Sequence, residues 1–172
     1  LHAAGEWPSE REMAREPLPV QNSVALFQEW WGAQNLTVID LEAYVADVQM
    51  GYGGTIDCLA RDSEGRLVLL DWKTSKAVYP EYHLQVVAYG GAMARMGLGM
   101  PEQASILRIG KEDAEFESVP VWQSLDEARG LYQAWKALVQ VAEWLKAAKA
   151  KSDAEWRRKK KAQKPAPEVA CA

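Results

Sequence analysis

Apolar side chains recur along the chain at two different periods, and these periods predict which segments form helices and which form strands. Between Ser23 and Trp31 the large side chains stand three or four positions apart, the spacing of one helix face, and Gly32 is the predicted stop. Prolines before residue 20 predict that no long helix precedes this one. Segments rich in β-branched and aliphatic residues then predict three strands, over residues 37–48, 55–60 and 66–72.

The second half of the chain continues this alternation. Pro80 opens a predicted helix that runs to about Met96, and two apolar segments, residues 105–109 and 116–121, predict further strands. A last helix begins at the polar residues 124–127 and carries an apolar stripe at three- and four-residue steps. The order helix, three strands, helix, two strands, helix predicts an α/β fold with a mixed central β-sheet flanked by helices.

The chain contains eight tryptophans, and the sequence surroundings of seven of them indicate two groups. Those on apolar helix faces or on the third strand are expected in the core: Trp30, Trp31, Trp72, Trp135 and Trp144. Two others, Trp7 and Trp156, stand among polar residues, where an indole could stack on nucleic-acid bases.

Length and composition fit a single globular domain of 172 residues, with 48% hydrophobic and 26% charged residues. We expect this domain to span residues 1–150, followed by a basic, flexible tail over residues 151–172. The two cysteines, Cys58 and Cys171, exclude an iron–sulfur or zinc site made from four cysteines of one chain. No apolar run is long enough for a membrane span, and a cytoplasmic location, in a bacterial or phage-infected cell, is expected.

Charge is distributed unevenly along the chain. Residues 146–172 hold nine basic and three acidic side chains, a net charge of +6, whereas the preceding 145 residues carry −10. The run from Arg157 to Lys161 could hold a phosphate backbone through counterion release, or it could be a solvated helix end. An acidic body argues against a protein that coats nucleic acid nonspecifically, but it does not argue against an enzyme that collects carboxylates around metal ions.

The segment from Gly53 to Tyr89 carries the chemistry. Asp57 follows a glycine turn, and Asp71 and Lys73 stand two residues apart at the end of the next strand, so both project from the same sheet face. A hairpin between these strands would bring both carboxylates and the ammonium group together. Oxygen ligands without thiolates suit Mg²⁺ or Mn²⁺. The alternative is a structural Asp–Lys ion pair.

The order and spacing of these residues resemble the RecB-like branch of the PD-(D/E)XK nuclease superfamily. Its motifs G-x-x-D, (D/E)-x-K and Q-x-x-x-Y correspond to segments 54–57, 71–73 and 85–89. The resemblance implies a restriction-endonuclease-like core in which Asp57, Asp71 and the Trp72 carbonyl bind the metal. It also implies that Lys73 is the catalytic lysine.

The same resemblance implies further site residues. Gln85 and Tyr89, one helical turn apart, would face the active site and the DNA. Either His2, as the end of a truncated helix, or Glu42, on the first strand, would complete the metal site. His83 is expected to be exposed. Some relatives bind an iron–sulfur cluster through four cysteines, but this chain lacks that set.

The sequence therefore predicts a Mg²⁺- or Mn²⁺-dependent deoxyribonuclease, acting as an exonuclease on DNA ends or single strands in processing, recombination or repair. The absence of the cysteine set points to a free-standing enzyme of phage or mobile-element type. A recombination or replication protein is a candidate partner. The alternative function is a catalytically inactive nucleic-acid-binding module on the same fold.

Overall fold

The structure is a computed structural model that describes residues 7–110 and 114–162. Internal contacts divide the chain into two units, residues 1–135 and 136–172. The first unit contains every strand found in the described residues and all of the candidate site treated below. The described part of the second unit is a single length of helix, residues 136–162. His2 and residues 163–172, the end of the predicted tail, lie outside the described residues.

The predicted α/β fold is confirmed, because a five-stranded mixed sheet is flanked by helices. Its elements follow in chain order: α1 (Glu10–Met13), α2 (Leu18–Gln34), β1 (Thr37–Asp47), β2 (Tyr52–Arg61), β3 (Leu67–Lys73), α3 (Pro80–Arg95), β4 (Gln103–Ile109), β5 (Phe116–Trp122) and α4 (Leu125–Ala162). Within the described ranges, no helix is long and apolar enough to span a membrane.

The strands lie in the sheet in sequence order, from β1 at one edge to β5 at the other. Only the β3–β4 pair is parallel, and α3 forms the crossover between these two strands. The β2–β3 ladder runs from the pair Arg61–Leu67 to the pair Cys58–Leu70. Asp57 and Asp71 are the next residues on their strands, so the candidate acids stand where this ladder ends.

A hydrophobic core lies on each face of the sheet. On one face, α3 and the first turns of α4 bury residues that include Val86, Met93 and Ala128 against Ile56 and Ile106. The opposite core is built around Phe27 of α2 and is rich in aromatic rings: Trp7, Trp30, Trp31, Trp72 and Phe116. Burial on both sides explains the nearly continuous apolar sequence of β3.

The first long helix is longer than its sequence predicted at both ends. It begins at Leu18 with Pro19 in its first turn, where the missing N–H of proline costs nothing. The helix passes through Gly32, so the predicted stop there is wrong. It ends at Gln34, and Asn35 adopts the left-handed conformation (φ 52°) that asparagine tolerates at a helix C-terminus.

Two expectations for tryptophans are wrong. Trp7 does not stand free among polar groups, because its ring packs edge-on against Phe27 with a centroid distance of 5.5 Å. Trp144, expected in the core, is 68% exposed, and Leu138 and Leu145 of the same stripe are 55% exposed. An amphipathic pattern therefore predicted the helix correctly but not the burial of this part of it.

Candidate active site

Asp57 is held by the backbone of the neighbouring strand. Where the β2–β3 ladder ends, its Oδ2 accepts a hydrogen bond of 2.7 Å from the Trp72 N–H. Burial raises the pKa of Asp57, the Trp72 bond and the Lys73 charge lower it, and the charge of Glu42 raises it further. The carboxylate is thus fixed in direction and costly to ionise without a cation nearby.

Asp71 and Lys73 form a close pair at the end of β3. Lys73 Nζ lies 2.6 Å from Asp71 Oδ2, with the aspartate side chain 2% exposed and the lysine side chain 16% exposed. The distance is that of a close ion pair. Among the described residues, Asp71 Oδ2 is the one buried side-chain oxygen or nitrogen without a hydrogen bond.

The pKa of Asp71 is also raised. Burial is the main cause, the neighbouring Lys73 opposes it, and the charge of Asp57 adds to it. Two neighbouring buried carboxylates with raised pKa values, balanced by a single lysine, form a region that a further cation would stabilise. The structure therefore brings Asp57, Asp71 and Lys73 to one place, at the end of the β2–β3 ladder.

Helix α3 presents polar side chains toward the same strands. Gln85 Nε2 donates a 2.6 Å hydrogen bond to the Tyr89 hydroxyl, so the two motif residues act as one unit on one helix face. Tyr89 lies against Gly54, where any Cβ would overlap the tyrosine ring. The glycine of the G-x-x-D segment is therefore required by the close approach of α3, independently of any turn.

Lys73 is also placed by an aromatic ring. Its Nζ stands 5.0 Å from the centroid of Tyr82, which packs edge-on against Tyr79 with a centroid distance of 5.5 Å. A ring at this distance attracts an ammonium group and limits its positions. Tyr82 belongs to the first turn of α3, so the helix that carries Gln85 and Tyr89 also positions the lysine.

Glu42 has an unusual backbone next to this site. It is exposed and lies on edge strand β1, between the pairs Leu41–Cys58 and Ala43–Ile56, yet its φ is 54°. A left-handed glutamate inside a strand is strained by about 1–3 kcal/mol, and such residues cluster at functional sites. Its charge reaches Asp57, since it raises the pKa of that carboxyl.

Other candidate residues have plainer surroundings. His83 is half-buried instead of fully exposed, and its Nδ1 lies 3.5 Å from the Tyr79 carbonyl. Its neighbour Leu84 is 43% exposed. Within the described residues, no three His, Cys, Asp or Glu side chains converge closely enough to form a complete metal cage.

Sequence reasoning missed Arg108, which lies beside Lys73 in the parallel β3–β4 register. Its guanidinium is 1% exposed, donates to the Ser75 carbonyl at 3.1 Å, and pairs with Glu115 and Glu117 at 2.7 and 2.9 Å. It thereby fixes the loop that follows Lys73. The one signal was a lone charge inside an otherwise uncharged strand.

Comparison with known proteins gives a family match. The model of the PD-(D/E)XK nuclease superfamily matches residues 4–172, nearly the whole chain. No curated protein matches. Among solved structures, the one titled "Crystal structure of SSO0001" is similar at 18% identity and a TM-score of 0.40. The alignment covers 70% of this chain and 54% of that one, so this chain spans about half the length of the protein it matches.

Proposed function

Because the chain belongs to the PD-(D/E)XK nuclease superfamily, whose members are generally metal-dependent nucleases, we propose that it is a Mg²⁺- or Mn²⁺-dependent deoxyribonuclease. We place it in the RecB-like branch, among enzymes of phage or mobile-element type, and infer that it acts as an exonuclease on ends or single strands. The observation that carries the proposal is the convergence of Asp57, Asp71 and Lys73 at the end of the β2–β3 ladder.

The residues present fit a hard divalent cation. Asp71 Oδ2 is buried without a hydrogen bond, and the donor set consists of carboxylate oxygens. Two protein carboxylates are enough for Mg²⁺, which keeps several waters and uses substrate phosphates as its remaining ligands. In this proposal the Trp72 carbonyl is a further ligand, and Glu42 or His2 completes the set.

A bound divalent cation would supply an acidified water and stabilise negative charge on the phosphodiester. The protein's own side chains orient the attacking water, offset charge and position the DNA. Lys73, partly exposed and steadied by Tyr82, orients the attacking water and offsets charge that develops on the phosphate. Gln85 and Tyr89, joined by their hydrogen bond, present a polar edge that positions the DNA strand beside the carboxylates.

Cleavage tests this function directly. End-labelled linear DNA, single-stranded or duplex, should shorten from its ends with Mg²⁺ or Mn²⁺ and stay intact in EDTA, while covalently closed circular DNA survives. Asp57→Asn, which keeps the side-chain shape, should be inactive under the same conditions and serves as the control for contaminating nucleases. Full activity in excess EDTA would exclude the proposal. Binding without cleavage under every condition would instead favour the inactive binding module.

Replacing Glu42 should distinguish its backbone strain from its proposed role as a metal ligand. Glu42→Gly should raise the free energy of unfolding in EDTA by about 1 kcal/mol, because glycine adopts a φ of 54° without strain. If Glu42 is a metal ligand, the same variant should lose metal affinity, so stability and function would move in opposite directions.

Glu42→Gln is the matched control for the backbone, since it keeps the strained conformation and removes only the charge. We expect it to weaken Mn²⁺ binding in calorimetric titration without the gain in stability seen for glycine in denaturant unfolding. Wild-type metal affinity and cleavage in the glutamine variant would show that Glu42 is a surface residue, and would leave His2 as the candidate.

A further inference from the structure

One face near the end of α4 combines an aromatic ring with several cations. Arg157, Lys160 and Lys161 line a single concave surface together with Trp156, which we call the basic cleft. These cations stand three and four residues apart, so they share one side of the helix. The other nearby cations, Lys151, Arg158 and Lys159, do not line this surface.

Trp156 in this cleft is open to a ligand. Its side chain is 61% exposed, and Lys160 Nζ stands 4.9 Å from the ring centroid, over one face of the indole. A cation over one face leaves the other face free for stacking, and it places a positive charge beside whatever stacks there. An exposed tryptophan within a cationic surface is the arrangement that binds unpaired bases and their phosphates together.

We propose that the basic cleft is a binding site for single-stranded nucleic acid. An unpaired base stacks on the open face of Trp156, and Arg157, Lys160 and Lys161 contact the adjoining phosphates. The distribution of charge along the chain favours a polyanionic ligand at this end, since residues 146–172 carry +6 while the rest of the sequence carries −10. The inference rests on the proposed function only for the identity of the polyanion.

Single strands are favoured over duplexes and over membranes. A duplex exposes base faces only at its ends, so a stacking tryptophan has little to gain along its length. A membrane surface would engage the exposed apolar residues of the helix, Leu138, Val141 and Trp144, instead of Trp156, which has a lysine ammonium over one face. The cleft therefore predicts a ligand with both phosphates and accessible bases.

The test measures binding of the full-length chain to a fluorescein-labelled oligothymidine by anisotropy, in EDTA so that cleavage does not interfere. The variant R157Q/K160Q/K161Q should bind at least about 10-fold more weakly at 0.1 M salt. The slope of log K against log salt should become less steep by about 2. The control K151Q/R158Q/K159Q removes three charges of the same helix that do not line the cleft, and it should bind nearly as wild type.

Trp156→Ala should weaken binding to the single strand by about 10-fold and leave binding to a closed hairpin duplex nearly unchanged. Trp144→Ala is its control, because it removes a similarly exposed indole that does not line the cleft. Equal losses in the two triple variants, or no loss in Trp156→Ala, would overturn the proposal. So would cleft-dependent binding to anionic phosphatidylserine vesicles as tight as to the oligonucleotide.

This result and the nuclease proposal can fail separately. A chain that binds the oligonucleotide through the cleft but never cleaves DNA would refute the nuclease and leave the cleft standing. A chain that cleaves DNA while both triple variants bind alike would refute the cleft alone.

Discussion

Lys73→Ala should lower the single-turnover cleavage rate by about 10²–10³, the cost of removing one preorganised electrostatic group from an active site. The reason is its position: Nζ is held 2.6 Å from Asp71 Oδ2 and 5.0 Å from the Tyr82 ring, and it is still partly exposed to a substrate. Metal and DNA affinity should survive, because no ground-state ligand is removed. Metal affinity is expected to be equal or slightly higher, since a neighbouring positive charge is lost.

Lys76→Ala is a matched control, because it removes an exposed lysine three residues further along the same loop. It should cleave at the wild-type rate. Rates at saturating DNA and metal, measured beside calorimetric metal titration, separate chemistry from binding. A wild-type rate in Lys73→Ala would mean that Asp71 and Lys73 are a structural ion pair, and the nuclease proposal would be withdrawn.

The site motifs could be predicted from the sequence because each depends on local geometry. Two residues at alternate positions of a strand share a face, and two residues four apart on a helix share a face, so the pairs Asp71–Lys73 and Gln85–Tyr89 follow from spacing. Their convergence needed only a hairpin between neighbouring strands. The fold class was predictable for the same reason, since alternating helix and strand periods restrict the architecture.

Features that depend on tertiary contacts could not be predicted from the sequence. The positive φ of Glu42 breaks the pattern of an edge strand, and nothing in the residues around it indicates that conformation. Arg108 is buried because Glu117 of β5, and Glu115 just before that strand, neutralise it. The apolar stripe of α4 specifies a helix face but not what covers it, so Trp144 was placed in the core and is exposed.

Asp71→Asn should fail in a different way from Lys73→Ala, through loss of metal binding. Even indirect partners of a metal typically change its affinity by about 10–100-fold, so loss of a direct carboxylate ligand should cost at least that much. The amide oxygen remains a weak ligand, and excess Mn²⁺ should therefore restore part of the cleavage rate. Asp126→Asn, at a fully exposed aspartate, is the control and should titrate as wild type.

The same substitution should change how stability depends on pH. The raised pKa of Asp71 means that the folded state holds this proton more tightly than the unfolded chain. Without metal, the free energy of unfolding should therefore fall as pH rises from the ordinary aspartate value, 3.8, to the higher folded value. Asp71→Asn cannot ionise, so its fall should be smaller and should come mainly from Asp57, whose pKa is also raised. Urea unfolding in EDTA between about pH 4 and pH 8 measures this difference. An identical fall in both proteins would mean that Asp71 ionises without cost when buried, and that the site has no unmet need for a cation.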